Sequence, residues 1–155
     1  LFALSNPTAN SECQPQNVYN ITKGKGLMAT GSPFEPIVGE YGTMFVSQSN
    51  NMYIFPGIGL GALIARAPYI TQKMLLAASS ALSDLVTDEE LSVGKLLPDL
   101  NNVLALSAHI AIAVAKEARD SGLGKRISDD KLEEQIHKAQ WDGRYYPYRS
   151  GKMTL

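Results

Sequence analysis

A chain of 155 residues is one domain, or a domain with a tail, and can bury a core of its own; with 14 basic and 15 acidic side chains and a net charge of -1, it has no basic face of the kind nucleic acid requires. A single cysteine, Cys13, excludes an internal disulfide and suits a reducing compartment, the cytoplasm, with the mitochondrial matrix as the alternative. Apolar runs such as residues 54–65 are too short for a bilayer span and are broken by glycine, and charged residues make up only 19%, against roughly 25% in an average globular chain, which fits a piece covered by other protein.

The chain opens on "LFAL", a continuous apolar run that reads as a buried parallel strand, and "SNPTANSEC" after it is turn chemistry. A buried strand at residue 1 needs neighbours, so the expectation is a piece of a larger protein. Pro15 suits the first position of a helix carrying Val18 and Ile21, ended by Gly24 or Gly26. "LMAT" reads as a second buried strand, so strand, helix and strand form a βαβ unit with a parallel sheet. The Gly-, Ser- and Pro-rich residues 31–51 suit a hairpin or long loop, with "PIV" and "TMFV" as its apolar pieces.

The remainder is predicted helical. Residues 53–65 form one helix, broken at Pro68. Thr71 caps the next, with Met74, Leu75, Ala78, Ala81, Leu82 and Leu85 on one face. Thr87 and Glu90 have capping-box spacing for a short third helix, followed by Gly94 and Pro98. Residues 102–119 are amphipathic through Val103, Leu106, Ile110, Ala113, Val114 and Ala118, and Gly122 stops them. Ser128 caps a last helix bearing Leu132, Ile136 and Ala139. The fold class expected is α/β: the C-terminal part of a Rossmann-like parallel-sheet domain over residues 1–86, then a mostly helical C-terminal region over residues 87–155.

Gly57, Gly59 and Gly61 lie ahead of an apolar run and invite a phosphate-loop reading. The dinucleotide fingerprint is G-x-G-x-x-G between a strand and a helix, whereas here the third glycine comes one residue early. Small residues that let a helix backbone approach its neighbour fit better. His109 and His137 are far apart and have no ligand-spaced partners, and Cys13 has no base beside it. Asp88 to Glu90, and Asp129 with Asp130, read as acidic helix starts; Lys125 and Arg126 are solvated or pair across a subunit contact. Asn6 stands apart. It follows a strand at the carboxyl end, where open α/β sheets bind ligands, and its amide can both donate and accept. A plain Ser-Asn-Pro turn is the competing reading. Thr30, Gly31 and Ser32 follow the second strand at the same rim.

"LFALSNPT", "ATGSPF" and "NNMYIFPGIGLG", in that order, resemble successive blocks of the nucleotide-binding domain of the malic enzyme family. "LPDL" and "SAHIAIAVAKEA" continue the resemblance more weakly, and residues 141–148 loosely. The resemblance implies oxidative decarboxylation of L-malate to pyruvate and carbon dioxide, with NAD or NADP and a divalent metal, Mg or Mn, in a homo-oligomer without membrane or nucleic-acid partners. It implies that the catalytic and metal-binding residues, and the Gly-rich phosphate loop, lie upstream; no catalytic or metal residue can be named here, and the chain alone would be inactive. By the same resemblance Asn6, Asn50 and Asn51 bind substrate, and Asn6, Asn51, Thr30, Gly31 and Ser32 serve the cofactor. Ser49 and Thr30 depart from the residues common in the family at those places, without removing an amide.

Two rivals follow. A malolactic enzyme would turn malate into lactate, and a non-catalytic helical or nucleotide-binding module would use the rim only for interaction.

Overall fold

The computed structural model describes residues 1–145; Tyr146, Pro147 and Tyr148 of the family-like tail lie outside them. Three short parallel strands, β1 (Phe2–Ala3), β2 (Met28–Thr30) and β5 (Val46–Gln48), form a sheet in the order β1-β2-β5. Phe2 pairs with Ala29 and Ala3 with Thr30; across the sheet Met28, Ala29 and Thr30 pair with Val46, Ser47 and Gln48. Helix α1 (Pro15–Thr22) makes the first crossover, with Pro15 in its first turn as its sequence predicts, and ends in left-handed Lys23 and Gly24. An antiparallel hairpin, β3 (Ile37–Gly39) with β4 (Gly42–Met44), makes the second.

Two expectations change. "TMFV" is divided: Thr43 and Met44 belong to the hairpin, while Val46 starts a third parallel strand that the composition concealed. "LFAL" is an edge strand in which only Ala3 is buried; Leu1, Phe2 and Leu4 are about half exposed or more because, among the described residues, only β2 pairs with it.

Beyond the sheet come α2 (Phe55–Ala65), α3 (Gln72–Ser83), α4 (Asp88–Ser92), α5 (Val103–Asp120) and α6 (Asp129–Ala139). The local start signals operate as read. The Thr71 hydroxyl accepts from the Met74 N–H, and Thr87 with Glu90 closes a full capping box. Ser128 precedes α6 but its hydroxyl makes no capping bond; Asp129 instead pairs with Arg119 and Lys116 of α5. Those two cations hold the Asp129 carboxyl below its usual range, Arg119 contributing most.

The core lies where α2, α3 and α6 pack on α5, and runs from Tyr53 through Met74, Ile110 and Val114 to Leu132 and Ile136. The buried face of α5 is wider than the apolar periodicity suggests, since Ala108, Ala111 and Ala115 join it. Leu75 and Ala139, assigned to apolar faces, are exposed. Helices α2 and α5 cross closely because Gly57 and Gly61 face α5. A Cβ on Gly61 would stand 2.5 Å from the Ala111 carbonyl oxygen and 2.9 Å from the Val114 Cβ, whereas Gly59 faces open space. Gly57 and Gly61 therefore serve packing, as the failed fingerprint implies, and Gly59 does not.

Candidate functional site at the carboxyl rim of the sheet

Because the three strands run parallel, their carboxyl ends at Ala3, Thr30 and Gln48 share one edge of the sheet. The chain leaves that edge through three turns, which carry Asn6, Gly31 with Ser32, and Asn50 with Asn51. Residues far apart in sequence are thus gathered by topology at the place where open α/β sheets take their ligands.

The first two turns are joined directly. The Gly31 N–H donates to the Ala3 carbonyl at 2.9 Å, and a Cβ at residue 31 would lie 2.2 Å from the Leu4 oxygen, so only glycine fits this approach. The buried Thr30 hydroxyl donates to the Ser32 carbonyl at 2.8 Å. The Ser32 hydroxyl donates to Asn6 Oδ1 at 2.9 Å. Asn6 is exposed, and its amide nitrogen has no protein acceptor among the described residues. The result is a pair of N–H donors held at the rim and unspent. Thr30, Gly31 and Ser32 lie beneath them as a buried floor. The Asn6–Pro7 peptide is cis.

The loop bearing Asn6 is closed by Glu12, whose carboxylate accepts from the Ser5 N–H at 3.2 Å and from the Ser5 hydroxyl at 2.7 Å. The Ser5 hydroxyl is the main reason the Glu12 carboxyl titrates below its usual range. Nothing in the sequence marks this pair, seven residues apart in an irregular segment.

The third turn is fastened to the second by the Ser49 N–H, which donates to the Thr30 carbonyl at 2.7 Å. Asn50 Oδ1 accepts from the Met52 N–H at 3.0 Å and caps the short 3-10 turn Asn51–Tyr53, leaving its amide nitrogen. Asn51 is exposed and its side chain makes no hydrogen bond among the described residues. Tyr53, buried two residues on, donates to the Pro98 carbonyl at 2.5 Å. Burial first, then the charges of Asp99 and Glu90, push the Tyr53 hydroxyl up to about 12. Its stabilising contribution is complete below its ordinary value of 10.0 and is lost as pH rises from there toward 12. Ser47 of β5 accepts from the Leu96 N–H at 2.7 Å, so the linker between α4 and α5 buttresses the rim at two points. Sequence reasoning misses both, since each joins residues more than forty apart.

A cleft of about 170 Å³ beside β5, bounded by Phe34, Phe45, Gln48, Tyr53, Lys95 and Asp99, contains none of the three asparagines. It is well below the ~300 Å³ at which ligand pockets begin. His109 and His137 are exposed on α5 and α6, away from the rim turns in sequence and element. Among the described residues no three His, Cys, Asp or Glu side chains converge to hold a metal ion. The divalent metal that the resemblance implies therefore has no donor set in them. No helix among them is long and apolar enough to cross a membrane.

Comparison with known proteins agrees with this fold. The family model described as "Malic enzyme, NAD binding domain" matches residues 1–119. The chain is 43% identical over 149 residues to the NAD-dependent malic enzyme of Shewanella denitrificans, covering 96% of this chain and 26% of that one. It is 45% identical over 152 residues to that of Shewanella sediminis, with the same coverage. Among solved structures it is similar to the malic enzyme of Pyrococcus horikoshii, with a TM-score of 0.67 and 32% identity over 88% of this chain and 28% of that chain. The malic enzyme of Entamoeba histolytica gives a TM-score of 0.67 and 26% identity, over 89% and 26%. The chain thus spans about a quarter of the length of the curated relatives it matches. A family match over residues 1–119, joined to a parallel sheet whose rim gathers the amides, leads to one assignment: the chain belongs to the malic enzyme family.

Proposed function

We propose that this chain forms the wall at the nicotinamide end of the NAD site in an enzyme that converts L-malate to pyruvate and carbon dioxide. The observation that carries the reading is the Asn6 amide, whose oxygen is occupied by Ser32 and whose N–H donors are unspent on the rim. NAD rather than NADP is favoured because the curated relatives are named NAD-dependent malic enzymes, and those names also favour malic over malolactic chemistry. When bound, NAD would supply the hydride acceptor for oxidation at the malate carbinol carbon. The residues of this chain hold and orient. Asn6 donates to a malate carboxylate or to the cofactor carboxamide, while Asn51, with the amide nitrogen of Asn50, approaches from the neighbouring turn. Thr30, Gly31 and Ser32, themselves buried, support the cofactor side of the rim from beneath the Asn6 turn.

Helix α2 has no polar side chain, yet Phe55 and Leu63 are exposed on it. A helix apolar on every side belongs in an interior, which supports a larger homo-oligomeric enzyme as the working form. The 155-residue polypeptide by itself is expected to show no malate-dependent reduction of NAD with Mg or Mn added. Measurable turnover by the purified chain would sink that expectation.

The direct test is Asn51→Ala in the intact enzyme. With no side-chain hydrogen bond to lose among the described residues, the melting temperature should hold. The kcat/KM for malate should fall about 10- to 100-fold, equivalent to roughly 1.4–2.8 kcal/mol of transition-state binding. Unchanged kinetics would remove Asn51 from the site; a collapsed melting temperature would make it a structural residue.

A further inference from the structure

We propose that Ser32 is a positioning residue that sets which end of the Asn6 amide faces the ligand. This rests on the reading that Asn6 donates to malate. A carboxamide has two nearly equivalent orientations, because the torsion that turns it is broad and roughly two-fold. On an exposed rim, water does not choose between them. Ser32 does. Its side chain is nearly buried, at 7% exposure, and Asn6 Oδ1 is its hydroxyl's only acceptor among the described residues. With the oxygen turned inward, the buried hydroxyl proton is paired and both amide N–H groups point away from Ser32. If the amide turned over, the nitrogen would face the hydroxyl. The Ser32 proton would then be buried without an acceptor, the costly side of hydrogen-bond accounting.

Ser32 can impose this choice because it is itself fixed. Thr30 Oγ1 holds the Ser32 carbonyl, the Gly31 N–H is tied to Ala3, and the Gly31 backbone is pressed against the Leu4 oxygen. The strand β2 thus presents a hydroxyl at a set place below the loop from β1. Ser32 contributes to ligand recognition through Asn6 and needs no contact with the ligand.

A double-mutant cycle in the intact enzyme tests this, using Ser32→Ala, Asn6→Ala and the pair. Melting temperature, steady-state malate kinetics and calorimetric binding of malate without turnover are read for each. Ser32→Ala is expected to weaken malate binding and raise the KM about 5- to 50-fold, with kcat changed less than threefold and the melting temperature nearly unchanged. In the Asn6→Ala background the same substitution should change the malate affinity less than twofold. Ser32→Thr, which keeps the hydroxyl, should recover most of the loss. Equal effects of Ser32→Ala in both backgrounds would overturn the proposal, and so would wild-type affinity in Ser32→Ala. If Asn6→Ala itself leaves malate binding untouched, it is the underlying reading of Asn6 that fails, and this separates the two.

Discussion

Asn6→Asp in the intact enzyme raises the KM for malate by about two to three orders of magnitude, and the fold survives. The substitution keeps size and turn preference, and the Ser32 hydroxyl can donate to a carboxylate as it does to the amide oxygen. What disappears is the donor, and what arrives is a negative charge facing a dicarboxylate. A lost donor to a buried partner costs about 1–3 kcal/mol. Two like charges about 4 Å apart near a protein surface repel by about 4 kcal/mol before screening. Screened and combined, these give about 3–4 kcal/mol, or two to three orders of magnitude. Asn6→Ser loses the donor pair but adds no charge, so it should be the milder variant. Steady-state kinetics on both, beside their melting temperatures, checks the order. If Asp and Ser both behave like wild type, Asn6 is a turn residue and nothing more.

Gly61→Val should lower the stability of the enzyme by about 3 kcal/mol, near the upper end of what overpacking a core costs. The obstacles are a backbone carbonyl at 2.5 Å and a β-branched Cβ at 2.9 Å, neither of which can swing aside as a flexible chain end would. Replacing glycine inside a helix recovers only a few tenths to about 1 kcal/mol of propensity, so the steric term wins. Gly59→Ala, two residues away in the same helix, reverses the sign. Its Cβ meets nothing within 4 Å among the described residues, and it should stabilise by about 0.5–1 kcal/mol. Denaturation midpoints of the two variants decide the matter; equal shifts of the same sign would refute the close α2–α5 contact.

Much of the framework is legible in the sequence because it is written locally. Thr71, Thr87 with Glu90, and Pro15 act within one turn of themselves, and each is found where its neighbours place it. The strand β5 is not legible, since its buried residue is Ser47 and Ser49, Asn50 and Asn51 follow it directly. Its place in the sheet is a matter of pairing with β2, which no local pattern encodes. The opening strand is parallel as read, but its burial is not written locally. Apolar character reports what a segment prefers to touch, and among the described residues β1 is paired on one side. At the rim, strand-then-turn order gathers the asparagines, but the hydroxyl that orients Asn6 lies 26 residues away. Resemblance supplied the family, and geometry alone supplied that bond.

The close crossing at Gly61 gives α2 a fulcrum. From there to its first residue, six positions on, is a lever arm of about 9 Å at 1.5 Å per residue. The turn holding Asn51 is attached at the end of that arm. A rocking of about 3° at the crossing therefore carries the turn about 0.5 Å, comparable to the tolerance within which a binding group must be held. Repacking at Ala111 or Val114, neither of them on the rim, is in mechanical terms an adjustment screw for the amide at the far end.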